Sequence, residues 1–435
     1  MKVNIITLGC SKNTVDSENL AGRLAAEGHT VYFDRRKNDC DTVIINTCGF
    51  IGDAKEESIN TILEQIIVKT HGRKARKLIV CGCLVQRYRN ELMAEMPEVD
   101  EWHGTDFFDA PTLNSSSQPN KHSGSPELYR CISTPSHYAY LKIAEGCNRS
   151  CSYCAIPLIR GAHHSRPMDD IVAEAKALVA DGVKELIVIS QDTTYYGLDL
   201  YKRRALGELL ERLAMESGAE WIRLHYTYPT SFPEDAIDAI ARHNNICNYI
   251  DIPLQHINTR LLGSMQRGID RDGTLRLLSS FRKKLPDVAI RTTLIVGYPG
   301  ETEAEFEELK EFVKEARFDR MGCFAYSPEE GTPAYRLGDP VPEDEKQRRV
   351  SELMAIQEQI SLEKNRQRIG KTYRCIIDRR EGDYLVGRTE YDSPEVDDEV
   401  LIKATSATSK VKPGDFIDVR ITQALENDLI GELIE

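Results

Sequence analysis

The sequence predicts an α/β protein in three parts: an N-terminal parallel α/β unit, a central partial (β/α)6 barrel and a small C-terminal β-barrel. Three observations predict it. Short apolar, β-branched runs alternate with charged amphipathic stretches over residues 1 to about 110. The alternation resumes on a longer beat between about 134 and 340, with six strand candidates. The last ~65 residues then break into about five short strands separated by turns.

In the first unit, KVNIITL, DTVIINT and KLIVCG are the buried strands, and DAKEESINTILEQIIVKT is a charged amphipathic helix between them. PTLNSSSQPNKHSGSP (111–126), rich in Ser, Pro, Asn and Gly, is expected as a linker or long mobile loop. The central strands are YAYLKIAE, ELIVISQD, WIRLHYTY, YIDIPLQ, VAIRTTLIVG and RMGCFAYS, with helical patterns such as DDIVAEAKALVADG between them. A charged helix, EDEKQRRVSELMAIQEQISLEKNRQRIG, leads to TYRCIID, YLVGRTEY, EVLIKA, DFIDVRIT and LIGELI. The expected domains are therefore 1–125, 126–365 and 366–435.

Composition narrows the setting. The chain of 435 residues is 41% hydrophobic and 29% charged, enough for a sizeable core. No apolar run approaches the ~18 residues of a membrane span. MKVNIITLGC reads as a strand rather than an export signal, so a cytoplasmic location and no membrane partner are expected, with a monomer by default. In a reducing compartment, twelve cysteines point to metal or chemistry rather than disulfides. A net charge of −13 argues against non-specific nucleic-acid binding and permits a basic partner.

The cysteines fall into two groups of interest. EGCNRSCSYCAIP (145–157) places Cys147, Cys151 and Cys154 in the loop after the first barrel strand. Three thiolates can hold three irons of a cubane and leave the fourth open, as sites that take a substrate do. The alternative is zinc completed by a distant Cys or His, with His163 and His164 near at hand. Cys10, Cys48 and Cys83 each lie where a strand of the first unit meets its following loop, the edge at which open α/β sheets bind ligands. They either converge on one site or are buried by coincidence. Cys40, Cys81, Cys131, Cys247, Cys323 and Cys375 read as packing residues.

The Cys-x3-Cys-x2-Cys loop resembles that of the radical S-adenosylmethionine superfamily. TLGCSKNTVDSE, INTCGFIGDAKEES and CGCLVQRY, together with the C-terminal strands, resemble its methylthiotransferase branch across all three regions. The resemblance implies a [4Fe-4S] cluster on Cys147, Cys151 and Cys154 that binds S-adenosylmethionine through its open iron. It implies a second [4Fe-4S] cluster on Cys10, Cys48 and Cys83, whose open iron carries the sulfur. One S-adenosylmethionine would methylate that sulfur and another would yield the radical that abstracts hydrogen from the target carbon.

The same resemblance sets Tyr153 against the adenine and likens LIVGYPGET, with Gly297 and Glu301, to a late adenosine contact. A Pro-Gly turn capping a strand explains that stretch equally well. Gln191 and Gln255 are cofactor candidates because they fall at predicted strand ends. Asn13, Asp16, Ser17 and Asn46 order the first trio's loops or cap helices.

For the substrate, two sister activities fit: tRNA adenosine methylthiolation, and methylthiolation of an aspartate β-carbon in small-subunit ribosomal protein twelve, free or in the ribosome. The C-terminal strands resemble a TRAM domain, an OB-like barrel. Residues 371–435 hold nine Lys and Arg against fifteen Asp and Glu, a net charge of −6. An acidic barrel repels tRNA and attracts a basic protein loop. GRTEYDSPEVDDEV (387–400), which supplies most of that acidity, and YLKIAEGCNRSCSYCAIPLIRG (140–161) resemble the ribosomal-protein branch, so the protein substrate is preferred. Arg160 and Arg166 are candidates to orient the target carboxylate, or partners of structural ion pairs. An iron–sulfur electron carrier with an RNA-binding tail is the alternative of another class. Sulfur and electron donors are required but leave no signature in the chain.

Overall fold

Five parallel strands form the first sheet, in the order β2-β1-β3-β4-β5: β1 (Lys2–Thr7), β2 (Thr30–Phe33), β3 (Thr42–Thr47), β4 (Lys77–Gly82) and β5 (Glu101–His103). This computed structural model describes residues 1–35, 39–72, 76–109 and 130–434. The expected linker at 111–126 lies outside the described residues. All six positions of β3 are buried because the sheet is covered on both faces. Helix α1 (Ser11–Ala26) sets Leu20, Ala21 and Leu24 against Val3, Ile5 and Ile44. On the opposite face, α2 (Gly52–His71) and α3 (Cys83–Glu95) set Ile62, Ile66, Leu84 and Leu92 against Val43, Ile45 and Val80. Sequence reasoning missed β2 and β5, edge strands of four and three residues that carry too little pattern to detect.

The central region follows the expected beat. Its strands are β6 (Tyr138–Lys142), β7 (Ala144–Glu145), β8 (His164–Ser165), β9 (Glu185–Ile189), β10 (Trp221–Leu224), β11 (Tyr249–Asp251), β12 (Ala289–Val296) and β13 (Arg320–Ala325). Two parallel three-stranded sheets, β10-β9-β6 and β11-β12-β13, are joined by the Ile222–Ile246 bridge and by Thr227 N–H donating to Asp251 O at 3.0 Å. The result is a six-strand partial barrel. The expected strand YAYLKIAE divides at Ile143, and its end, β7, turns away to pair antiparallel with β8. Helices α4 (Ile156–Arg160), α5 (Met168–Ala180), α6 (Leu206–Glu216), α7 (Glu234–Arg242), α8 (Thr259–Ser264), α9 (Arg271–Lys284) and α10 (Glu303–Ala316) connect the strands. The long helix α11 (Glu343–Arg366) packs on β13 and ends four residues before its expected limit. No helix among the described residues is long and apolar enough to cross a membrane.

The last five strands, β14 (Thr372–Glu381), β15 (Tyr384–Thr389), β16 (Glu399–Lys403), β17 (Phe416–Ala424) and β18 (Asp428–Leu433), close as β14-β15-β16-β18-β17. Only β16 and β18 run parallel. Cys375, Leu385, Val400, Val419 and Leu429 fill the interior.

The acidic run at 387–400 corrects an expectation. Most of its carboxylates are not free on the surface but turn inward and fasten the small barrel to the strand starts of the large one, although Glu395 remains exposed. Asp392 pairs with Arg320, Asp398 meets Arg320 at 3.1 Å, and Asp397 meets Arg291 at 3.3 Å while accepting from Tyr249 Oη at 2.6 Å. Glu395 accepts from Tyr138 Oη and Tyr140 Oη at 2.9 and 3.2 Å. Beside them, fully buried Glu185 pairs with Arg223 at 2.7 Å and Arg388 at 2.8 Å, joining β9 to β15. Asp392, Asp397 and Asp398 are thus occupied at this junction by Arg320 and Arg291.

Candidate functional site

Parallel register brings the first three cysteines to one edge. Thr7 of β1 pairs with Asn46 of β3, and Thr47 of β3 pairs with Gly82 of β4, so the loops carrying Cys10, Cys48 and Cys83 leave the sheet side by side. They pack too closely for side chains between them. A Cβ on Gly9 (φ +92) would stand 2.6 Å from Cys48 Cβ, and one on Gly82 (φ +100) 2.6 Å from Asn46 Oδ1. Asn13 ties all three loops: its Nδ2 donates to Leu8 O (2.8 Å) and Thr47 O (3.1 Å), and its Oδ1 faces Cys83 Sγ at 3.8 Å. Asn46 Nδ2 donates to Asn13 O and Ser17 Oγ, both at 3.0 Å. These residues therefore order the loops rather than cap a helix. Ser58 Oγ holds Cys48 from both sides, accepting from its N–H at 3.0 Å and donating to its carbonyl at 2.9 Å.

The second trio occupies the loop between β7 and α4. Cys147 N–H donates to Gly161 O and Cys154 N–H to Cys151 O, each at 3.1 Å, which curls the segment on itself. Buried Arg267 donates from Nη1 to Cys151 Sγ at 3.4 Å and to Tyr153 Oη at 3.2 Å. Tyr228 Oη lies 3.5 Å from Cys151 Sγ, and Arg149, held by Asp192 at 2.6 Å, lies over the Tyr228 ring at 3.9 Å. His163 is turned to Ser165 Oγ at 3.1 Å and meets the Tyr195 ring at a tilt of 56°.

The loops of the two trios come together at the boundary between the first sheet and the barrel. Cys83 packs on Ala155 and Ile159, immediately after Cys154. Arg160 crosses the same boundary. Its Nε donates to Cys83 Sγ at 3.3 Å, its Nη2 to Asn13 Oδ1 at 2.6 Å and its Nη1 to Asp16 Oδ2 at 2.7 Å. Lys142 joins Asp16 to Glu145, and Gln191 Nε2 donates to Glu145. These residues form one ionic network at the boundary, buried at Asp16 and Arg160 and partly exposed at Glu145.

Burial dominates the thiol energetics. It pushes Cys83 up to about 12 against the pull of Arg160, Cys154 up to about 12, and Cys147 up to about 11. It raises Cys48 as well. A thiol in such surroundings gives up its proton to a bound metal, whose charge outweighs the desolvation. No three His, Cys, Asp or Glu side chains among the described residues close on a single ion. A cubane asks for something else: one thiolate per iron, spaced apart. Two open trios of thiols, one on three loops tied together by Asn13 and one on a single curled loop, suit that group.

A cavity of about 760 Å3 opens at the strand ends beside the second trio, within the range of small-molecule sites. Tyr153 and Gln255 line it. Gln255 is held at φ +73 with its Oε1 buried and unpartnered, an acceptor that a bound polar group would satisfy. Cys323, expected as packing alone, forms part of the wall.

The other predicted residues are placed differently. Gly297 and Glu301 wire the loop after β12 and do not line the cavity. A Cβ on Gly297 would strike Lys346 Cγ at 2.4 Å, while Glu301 pairs with His256 at 3.3 Å and Arg349 at 3.1 Å. Gln191 sits in the Glu145 network, its Oε1 also buried and unpartnered. Arg166 donates to Lys142 O at 2.6 Å and pairs with Glu174 at 2.7 Å. Arg160 has all three guanidinium nitrogens engaged and presents no fork to an incoming carboxylate, and both arginines form the structural pairs that were the alternative. Sequence reasoning missed Arg149, Tyr228 and Arg267. Arg267 sits between Gln266 and Gly268, both in the left-handed region, and its meeting with Cys151 comes only from the tertiary fold.

Comparison with known proteins adds the following. The radical SAM superfamily matches residues 141–313, the uncharacterized protein family UPF0004 residues 2–104, and the TRAM domain residues 369–434. The ribosomal protein uS12 methylthiotransferase RimO of Flavobacterium psychrophilum is 56% identical, over 99% of this chain and 98% of that protein. Its namesake from Christiangramia forsetii is 55% identical, over 99% of this chain and 94% of that protein. Among solved structures, the radical S-adenosylmethionine methyltransferase TsrM from Kitasatospora setae, with cobalamin and a [4Fe-4S] cluster bound, superimposes with a TM-score of 0.57. It is 14% identical, over 77% of this chain and 73% of that one. The cobalamin-dependent S-adenosylmethionine radical enzyme OxsB gives a TM-score of 0.51 at 9% identity, over 81% of this chain and 56% of that one. Both likenesses concern the fold.

Proposed function

This chain belongs to the ribosomal protein uS12 methylthiotransferase family, and from that premise we propose that it replaces a C–H at the β-carbon of an aspartate in uS12 with C–S–CH3. That hydrogen is beyond ordinary acid–base removal, so cofactors must carry the chemistry. When bound, a [4Fe-4S] cluster with S-adenosylmethionine at Cys147, Cys151 and Cys154 would supply a carbon radical, and a second cluster at Cys10, Cys48 and Cys83 the sulfur.

The chain's own residues do the positioning. Arg267 fixes Cys151 and Tyr153 together, so the ligand loop and the aromatic wall of the cavity cannot move independently. Asn13 keeps the three loops of the first trio in register. Gln255 offers its unpartnered acceptor to a cofactor inside the cavity. The Arg160–Asp16–Lys142–Glu145 network holds the two trios on opposite sides of one boundary. The single observation that carries the reading is Cys83 seated on Ala155 and Ile159, which puts the first trio against the helix that follows the second.

Protein rather than tRNA is the proposed substrate, on the strength of what the relatives are named for. The test is anaerobic turnover of purified uS12 with reconstituted protein, S-adenosylmethionine, sulfide and a reductant, followed by peptide mass spectrometry. The expected result is a gain of one CH2S unit on a single aspartate, absent with Cys147→Ala. Unmodified uS12 alongside a modified tRNA adenosine would overturn the reading in favour of the sister activity.

A further inference from the structure

Helix α2 buries one face and leaves a second pattern unused. Ser58, Ile62 and Ile66 are its buried residues, and the two isoleucines pack on the sheet. Ile59, Leu63 and Ile67, spaced four apart, form another apolar edge, 36%, 43% and 58% exposed. Alongside it, Asp53, Glu57 and Glu64 share an acidic edge, all exposed and none within ion-pair distance of a cation among the described residues. A single exposed isoleucine is unremarkable; three in register beside three exposed carboxylates make a ridge.

The ridge starts at the reaction cavity. Asp53 in the first turn of α2 lines it, as do Phe50 and Phe324, which come from different domains and are 37% and 55% exposed. Ile67 stands fourteen residues beyond Asp53, about 21 Å along the helix at ~1.5 Å per residue. A polypeptide lying on α2 would thus run from this apolar edge to the two aromatic rings at the cavity.

We infer that this ridge is the docking surface for the protein substrate, which it engages through a cationic segment bearing apolar side chains. The inference rests on the uS12 reading above and says which face of the chain that partner uses. Charge favours this occupant, since a protein built to lie against ribosomal RNA is cationic and the exposed carboxylates of α2 complement it. Continuity with the cavity favours it too. The C-terminal barrel, whose acidic run is consumed by Arg320 and Arg291, offers no comparable set at 387–400.

The test compares the reconstituted full chain with Leu63→Asp/Ile67→Asp and with Glu64→Lys, measuring uS12 binding and steady-state methylthiolation separately. The expected result is a rise in both Kd and KM for uS12 of about tenfold or more, as when interface anchors are lost. Iron content and 5′-deoxyadenosine release without uS12 should be unchanged, and the charge reversal should flatten the salt dependence of binding. Unaltered Kd and KM in both variants would overturn the inference while leaving the function standing. Weakened binding without any turnover by the parent would sustain the surface and fail the function. A change in sedimentation with unaltered KM would assign the ridge to a second copy of the chain and overturn the proposal.

Discussion

Arg160 Nε donates to Cys83 Sγ at 3.3 Å, across the boundary between the first sheet and the barrel. The same guanidinium holds Asn13 and Asp16, so one side chain meets a candidate ligand, the residue that registers its loops, and the ionic network leading to Glu145. An N–H on a cluster sulfur and a nearby positive charge both favour the reduced, more negative state. Arg160→Gln is therefore expected to move the reduction potential of the Cys10/Cys48/Cys83 cluster to a more negative value, with the other cluster little changed. Arg160→Lys, which keeps the charge, should recover part of the shift. Potentiometric titration followed by electron paramagnetic resonance checks this, and equal potentials in all three proteins would contradict it.

Glu185 gives a prediction about stability. Its carboxylate is buried between Arg223 and Arg388, whose charges hold it below the usual carboxylate range despite the desolvation that opposes them. Glu185→Gln leaves buried Arg223 short of a counter-charge, while Arg388 keeps Asp378 at 2.7 Å. Removing one partner of a buried ion pair costs roughly 3–5 kcal/mol. Calorimetry should show a lower melting temperature, led by loss of the junction between the barrels. An unchanged thermogram would mean that this junction contributes little.

His225 should make stability depend on pH. Burial, aided by Arg223, Arg291 and Lys12 and opposed by Asp251, lowers it from 6.5 to about 3. It is hydrogen-bonded to Ser393 Oγ at 2.9 Å. The unfolded chain therefore binds this proton more readily than the folded one. The stability His225 contributes is fully present above pH 6.5 and is lost progressively as pH falls toward 3. Denaturant melts between pH 7 and 5 should show a decline that is shallower in His225→Gln. Identical slopes would contradict the assignment.

Much of this was legible in the sequence because it depends on local pattern. The β1, β3 and β4 runs are continuous and apolar, so their ends, and with them Cys10, Cys48 and Cys83, could be assigned to one edge. Short spacing did the same for Cys147, Cys151 and Cys154. What was not legible concerns partners distant in the chain. Arg160 and Arg166 looked available for a substrate because Asp16 and Glu174 meet them only in the fold. The run at 387–400 looked like a docking surface because nothing local reveals that Arg291 and Arg320 will neutralise it. Gly297 read equally well as a ligand contact or a turn; the stem of Lys346 accounts for it.

The proposed reaction requires two separate open cluster sites, and iron and acid-labile sulfide content tests for them most directly. The anaerobically reconstituted parent should hold about eight irons per chain, two cubanes of about four each. Joint replacement of Cys10, Cys48 and Cys83 by Ala should leave about four, with a spectrum that still responds to S-adenosylmethionine. Joint replacement of Cys147, Cys151 and Cys154 should also leave about four, without that response. About eight irons surviving in either variant would contradict the account.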